Sequence, residues 1–158
     1  MPMRTLLSLI ATLVITAPVF AGPGHDLAAS AELLRVEAQA RADTFASMPG
    51  ATLDPIATDD VFLVEVADFA IASARLSLDV ENAGGPQDLR CIFRGMAGDA
   101  EARMVDLETE QSGADLARVY REYVRLFTQA SQIGPLADDP DVEEFHGVLP
   151  ICPIEDLN

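Results

Sequence analysis

The sequence predicts an all-α domain: an antiparallel four-helix bundle with a C-terminal tail tied back by a disulfide. Three observations carry this prediction. Apolar residues recur at helical spacing in four stretches that Gly, Pro and Asp turns separate. The connections between those stretches are short, which favours antiparallel neighbours. Helix lengths also bring the chain's two cysteines, Cys91 and Cys152, to the same end of such a bundle.

Residues 1–21 read as a cleavable secretory signal peptide. Arg4 precedes an apolar run of about ten residues, 6–15, which Pro18 and then Val19-Phe20-Ala21 follow, so a charged segment, a hydrophobic segment and a cleavage signature stand in order. An uncleaved anchor is disfavoured, because a spanning helix needs roughly 20 apolar residues and Pro18 interrupts the run. No twin arginine and no cysteine at the cleavage point are present, so the expected product is exported unfolded and carries no lipid. The expectation is a periplasmic or secreted chain with no membrane span after cleavage past Ala21. Residues 22–158 then form one helical domain, long enough for a single core, with 135–158 as an acidic tail segment.

After Gly22-Pro23-Gly24, Asp26 is placed to cap a first helix carrying Leu27, Ala31, Leu34, Ala38 and Phe45, which stops before Pro49-Gly50. The second helix follows Asp54-Pro55, with Thr58, Asp59 and Asp60 where negative charge complements the helix dipole. From 61 to 80 it is overwhelmingly apolar, and Glu65, Asp68, Arg75, Asp79 and Asn82 form a narrow polar stripe, so the helix is expected to be largely buried. Ala83-Gly84-Gly85 ends it, and Pro86 suits the first turn of the third helix, built on Leu89, Ile92, Phe93, Met96, Ala100 and Leu107. Gly95 and Gly98 weaken that helix and offer a kink or a close approach. An alternative fold is α+β with a hairpin around 74–94, since Leu76, Leu78, Val80 and Leu89, Cys91, Phe93 alternate about Gly-Gly-Pro. The polar stripe continuing in helical phase to Asn82 ranks it second. Ser112 and Asp115 make a variant capping box for the fourth helix, which runs on Leu116, Val119, Tyr120, Tyr123, Phe127 and Ala130 to Gly134-Pro135.

Two cysteines in an oxidising compartment predict one bond, Cys91–Cys152. The third and fourth helices are of similar length, so the fourth ends level with Cys91 and the tail starts near its partner. Closing that loop contributes roughly 4 kcal/mol in the chain-entropy picture. Neither Cys-x-x-Cys nor a haem-attachment motif occurs.

Charge narrows the function classes. Cleavage after Ala21 leaves 9 arginines against 26 acidic residues, a net charge of −17. Nucleic acid is therefore a poor partner, and a cationic protein is the partner such a field steers inward. Lysine is absent, which removes every lysine-based mechanism. Arg118, Arg121 and Arg125 form a basic stripe able to hold a carboxylate or phosphate with Tyr120 or Tyr123 beside it. The plainer reading, ion pairing with Asp99, Asp106 and Glu110 of the preceding helix, takes precedence. Glu143 and His146 have the spacing of a helical metal-ligand pair, but with His25 the only other histidine a di-metal site cannot be built. A single labile metal on His146 with Asp138, Asp139 or Asp141 is the remaining metal arrangement, and a solvated acidic tail is the simpler one. His25, fourth from the expected new terminus and behind Pro23, is poorly placed to chelate copper. Glu65 and Asp68 are paired carboxylates with no nucleophile beside them, and no Gly-x-Ser-x-Gly occurs. The reading is a small acidic non-enzymatic protein without cofactor, of binding, inhibitor or immunity type, acting on a protein partner. A periplasmic protein binding a small anion or a metal is the second reading.

Overall fold

Helix formation follows the apolar spacing. The computed structural model describes residues 22–109 and 111–142. Within them lie four long helices: α1 (Pro23–Ala46), α2 (Val61–Asn82), α3 (Gln87–Leu107) and α4 (Gly113–Ile133). A 3-10 helix, Gly134–Asp138, continues α4. Two short strands, β1 (Thr52–Leu53) and β2 (Gln111–Ser112), pair antiparallel and tie the α1–α2 connection to the α3–α4 connection. The expected signal peptide, 1–21, and the tail beyond Val142, with Cys152, lie outside the described residues.

Each helix start has a local cause. Pro23 opens α1 behind Gly22, since proline lacks the N–H that a first turn leaves unpaired and its φ is already helical. Asp26 therefore sits inside the first turn and does not cap it, a correction to the sequence reading. Asp60 caps α2 by accepting from the Phe62 amide at 2.9 Å. The α2–α3 turn requires glycine at one position, Gly84, where φ is +71°. Both arms of the alternative hairpin are helical, because burial along them repeats every three to four residues. Pro86 caps α3 from outside the helix and is not its first residue. Ser112 and Asp115 form the expected capping box. At its other end α4 stops where expected, at Ile133 with Gly134 as its C-cap, and a 3-10 helix begins at that glycine, which keeps helical φ.

Packing divides the bundle into two tight antiparallel pairs, α1 on α4 and α2 on α3, with thinner seams between α1 and α2 and between α3 and α4. Small residues draw α1 onto α4. Ala31, Ala38 and Ala42 are fully buried along the contact. At one end a Cβ on Gly24 would strike the Gly134 carbonyl, and at the other a Cβ on Gly113 would strike that of Met48. Gly95 and Gly98, in contrast, face open space and admit no neighbour. Rings fill the centre: Phe62 and Phe69 of α2 meet Tyr120, Tyr123 and Phe127 of α4, with centroids 5.0 Å apart for Phe69–Phe127 and 5.4 Å for Phe62–Tyr123.

One expectation about α2 is overturned. The helix is not largely buried: Phe62, Val66, Phe69, Ser73, Leu76 and Val80 face the core, while Val61, Val64, Ile71 and Leu78 are exposed alongside the charged residues. Composition alone does not distinguish an apolar residue facing the core from one facing water.

Candidate functional site

The seam between α1 and α2 is an open groove. Side chains are short along it, Ser30 on α1 and Ala72 on α2, so the helices meet without filling the space between them. The groove consists of two adjoining hollows of about 360 and 370 Å³ that share Ser30 and Asp68. Buried Leu27, Leu34, Phe69 and Leu76 form its floor. Its rim carries the carboxylates of Asp26, Glu65, Asp68 and Asp79 and a single cation, Arg75. None of these five charged groups makes an ion pair among the described residues. An apolar floor under unpaired carboxylates is chemically suited to a cationic, amphipathic surface.

Elsewhere several charged groups pair with one another, although Asp54, Asp59, Glu101, Asp106 and Glu108 likewise make no ion pair among the described residues. Arg41 of α1 reaches Glu37 at 2.7 Å and Asp60 at 3.0 Å, and its guanidinium lies over the Phe62 ring, 5.0 Å from the centroid. That places a cation at the α1–α2–α4 junction, held by two acids and a ring. At the other end of α1, the Asp138 carboxylate accepts from the amides of Gly24 at 3.0 Å and His25 at 2.8 Å and meets the His25 ring nitrogen at 2.6 Å. Burial alone raises the Asp138 pKa, but the hydrogen bonds from the His25 ring and the two amides outweigh it and hold the carboxyl below its usual range.

The basic stripe is dispersed. Arg118 pairs with Glu122 of its own helix at 2.9 Å. Arg103 of α3 reaches across to the same Glu122 at 3.4 Å and also pairs with Asp99. The interhelical pair thus runs from an α3 arginine to an α4 acid, the reverse of the polarity anticipated from Asp99 and Asp106; Glu110 lies outside the described residues. Arg121 and Arg125 are exposed and make no ion pair among the described residues, and Arg125 lines a shallow polar hollow with Asp99, Arg103 and Glu122. Tyr120 and Tyr123 do not join the stripe. Both are fully buried, Tyr123 donating to the Ala100 carbonyl at 3.1 Å and Tyr120 accepting from Arg41 at 3.3 Å.

Of the acidic-tail residues, Asp139 accepts from the Asp141 amide in a tight turn at 2.9 Å, and Asp138 is engaged at α1. Glu143 and His146 lie outside the described residues, and no group of three or more potential metal ligands occurs among the described ones. No described helix is long and apolar enough to cross a membrane.

The sequence places Glu65, Asp68, Arg75 and Asp79 on one polar stripe of α2 but does not join Asp26 of α1 to it. Asp26 completes the rim, and the available signal was that Asp26, Ser30, Leu33 and Glu37 repeat on α1 in the same helical phase as 65, 68, 75 and 79 on α2. The Asp138 clamp had no local signal, since its partners are more than a hundred residues away. No family model, curated protein or solved structure matches this chain.

Proposed function

We propose that this is an exported, non-enzymatic binding protein whose α1–α2 groove receives a cationic, partly apolar segment of a protein partner. The observation that carries the reading is the set of four unpaired carboxylates, Asp26, Glu65, Asp68 and Asp79, around a floor of Leu27, Leu34, Phe69 and Leu76. Carboxylates left without partners in the free protein gain charge-assisted hydrogen bonds when a cation docks, and Leu33, exposed at the edge of the groove, offers the apolar surface that remains to be buried. The exported chain's net charge of −17 steers such a partner inward. An inhibitor or immunity role is the form this binding takes when the covered segment belongs to an active site. The small-anion reading has Arg121 and Arg125 in its favour, but Asp99 and Glu122 beside Arg125 oppose an anion there.

Export and the Cys91–Cys152 bond belong to the same proposal. No free cysteine occurs among the described residues. Residues 137–142 run beside Leu89 and the α2–α3 turn, so the described chain ends at the level of Cys91. Intact mass before and after reduction tests the bond, and two free thiols in the exported protein would overturn it.

Groove binding is tested with a labelled amphipathic peptide of alternating arginine and leucine faces, followed by fluorescence anisotropy. The expected result is affinity that falls at least tenfold in the Asp26→Asn/Asp68→Asn/Asp79→Asn variant and between about 50 and 500 mM salt. Equal binding by that variant, or equal binding of a glutamate-for-arginine peptide, would refute it.

A further inference from the structure

The outer face of α2 carries a second apolar stripe that the bundle does not use. Among the described residues eight large apolar side chains are exposed, and four of them, Val61, Val64, Ile71 and Leu78, are on this one helix. Val64, Ile71 and Leu78 are spaced by seven, with Ala67 and Ala74 three residues after the first two, which is the a and d pattern of a coiled-coil seam. The stripe lies on the back of the helix, opposite the core-facing Phe62, Phe69, Ser73 and Leu76. Its three large members are each about half exposed, at 50, 49 and 52 %.

We propose that this stripe is the seam of a homodimer in which two copies pack their α2 helices antiparallel. Charge and register identify a second copy as the occupant. Arg75 is the only cation on α2 and makes no ion pair among the described residues, although Asp79 lies one turn away. Antiparallel pairing over the full length of Val61–Asn82 sets the dyad near its midpoint. Ile71 then packs beside Ala74 of the second copy, and Arg75 flanks the seam opposite Asp68 of that copy. The two-fold axis makes this ion pair twice. Sliding by one heptad sets Asp68 against Asp68 and shortens the overlap, so charge selects the register. With only three large apolar side chains per copy in the seam, the dimer belongs to the weak, micromolar class.

This dimer is separable from the proposed groove binding by its response to salt. Two exported copies of net charge −17 repel at long range, so screening that repulsion offsets the weakening of the two Arg75–Asp68 pairs, whereas screening only weakens capture of a cationic segment. The test is sedimentation velocity on the chain purified after export, from about 1 to 200 μM, with circular dichroism to verify folding. Wild type is expected to shift from monomer to dimer across that range. Ile71→Glu is expected to remain monomeric while still binding the arginine–leucine peptide, because residue 71 lies outside the groove. Arg75→Glu and Asp68→Arg each weaken the dimer by about fivefold or more, and the Asp68→Arg/Arg75→Glu swap restores it to within about twofold. A monomer at every concentration, a dimer that survives Ile71→Glu, or a swap that fails to rescue would each overturn the proposal.

Discussion

Replacing Asp138 by alanine should unfasten the beginning of the domain from its far end. The carboxylate caps α1 from a 3-10 helix more than a hundred residues later, where Gly24 and His25 donate their amides. Pro23 has no amide to offer, and Gly24 is buried, so water cannot fully replace the lost acceptor. Loss of a cap costs about 1 kcal/mol and loss of a negative charge at a helix N-terminus about 0.3–1 kcal/mol. Adding the contact to His25, we expect Asp138→Ala to cost about 2 kcal/mol, or about 6 °C in Tm for a domain of this size. Asp138→Asn keeps an acceptor and should lose about half as much. Urea unfolding followed by circular dichroism reads both, with the slope unchanged if only stability moves. The folded carboxyl titrates below its usual range, so its contribution is complete above about pH 5 and is lost as pH falls through the folded pKa. Wild type and Asp138→Ala should therefore converge at low pH. A difference under about 0.5 kcal/mol at pH 7, or one that persists undiminished in acid, would refute the clamp as an electrostatic cap.

Two further substitutions test the bundle centre. Tyr123→Phe should cost about 1 kcal/mol by removing the hydroxyl that donates to the Ala100 carbonyl, measured by the same unfolding assay. Burial raises the pKa of Tyr123 and also that of Tyr120, and these are the chain's only tyrosines. Both phenols should therefore ionise at higher pH in the folded than in the unfolded protein, with stability falling as pH rises past the unfolded tyrosine pKa of about 10, which a spectrophotometric titration against urea-unfolded chain checks. Arg41→Ala should cost about 2 kcal/mol through the loss of Glu37, Asp60 and the Phe62 face together, and Arg41→Lys should recover less than half of it, since an ammonium neither forks nor stacks.

The helices were legible in the sequence because their signals are local. Asp60, Ser112 and Asp115 act within three residues of where they stand, and the spacing of Leu116, Val119, Tyr120, Tyr123 and Phe127 already describes a buried stripe. What failed were statements about which surface a residue meets. On composition α2 reads as buried, yet an apolar stripe and a polar one share its outer side, and only the positions of α1, α3 and α4 determine which stripe is covered. Arg118 was matched to acids on the preceding helix, whereas Glu122, one turn along its own helix, was the nearer partner. The two-residue strands carry almost no periodicity and were not anticipated.

Why a groove opens at α1–α2 follows from how the two tight pairs are made. Glycines and alanines pull α1 onto α4, and Ser77, donating to the Arg90 carbonyl at 2.9 Å, sits in the contact of α2 with α3. The two pairs must then enclose five rings, and Phe62 and Phe69 reach across the bundle diagonal to Tyr120, Tyr123 and Phe127. Rings of that size hold the pairs apart, since packed interiors do not compress. The separation is accommodated where the side chains are shortest, at Ser30 and Ala72, and there Phe69 and Leu76 become the floor of the groove. The same rings that stabilise the core therefore set the width of the proposed binding surface.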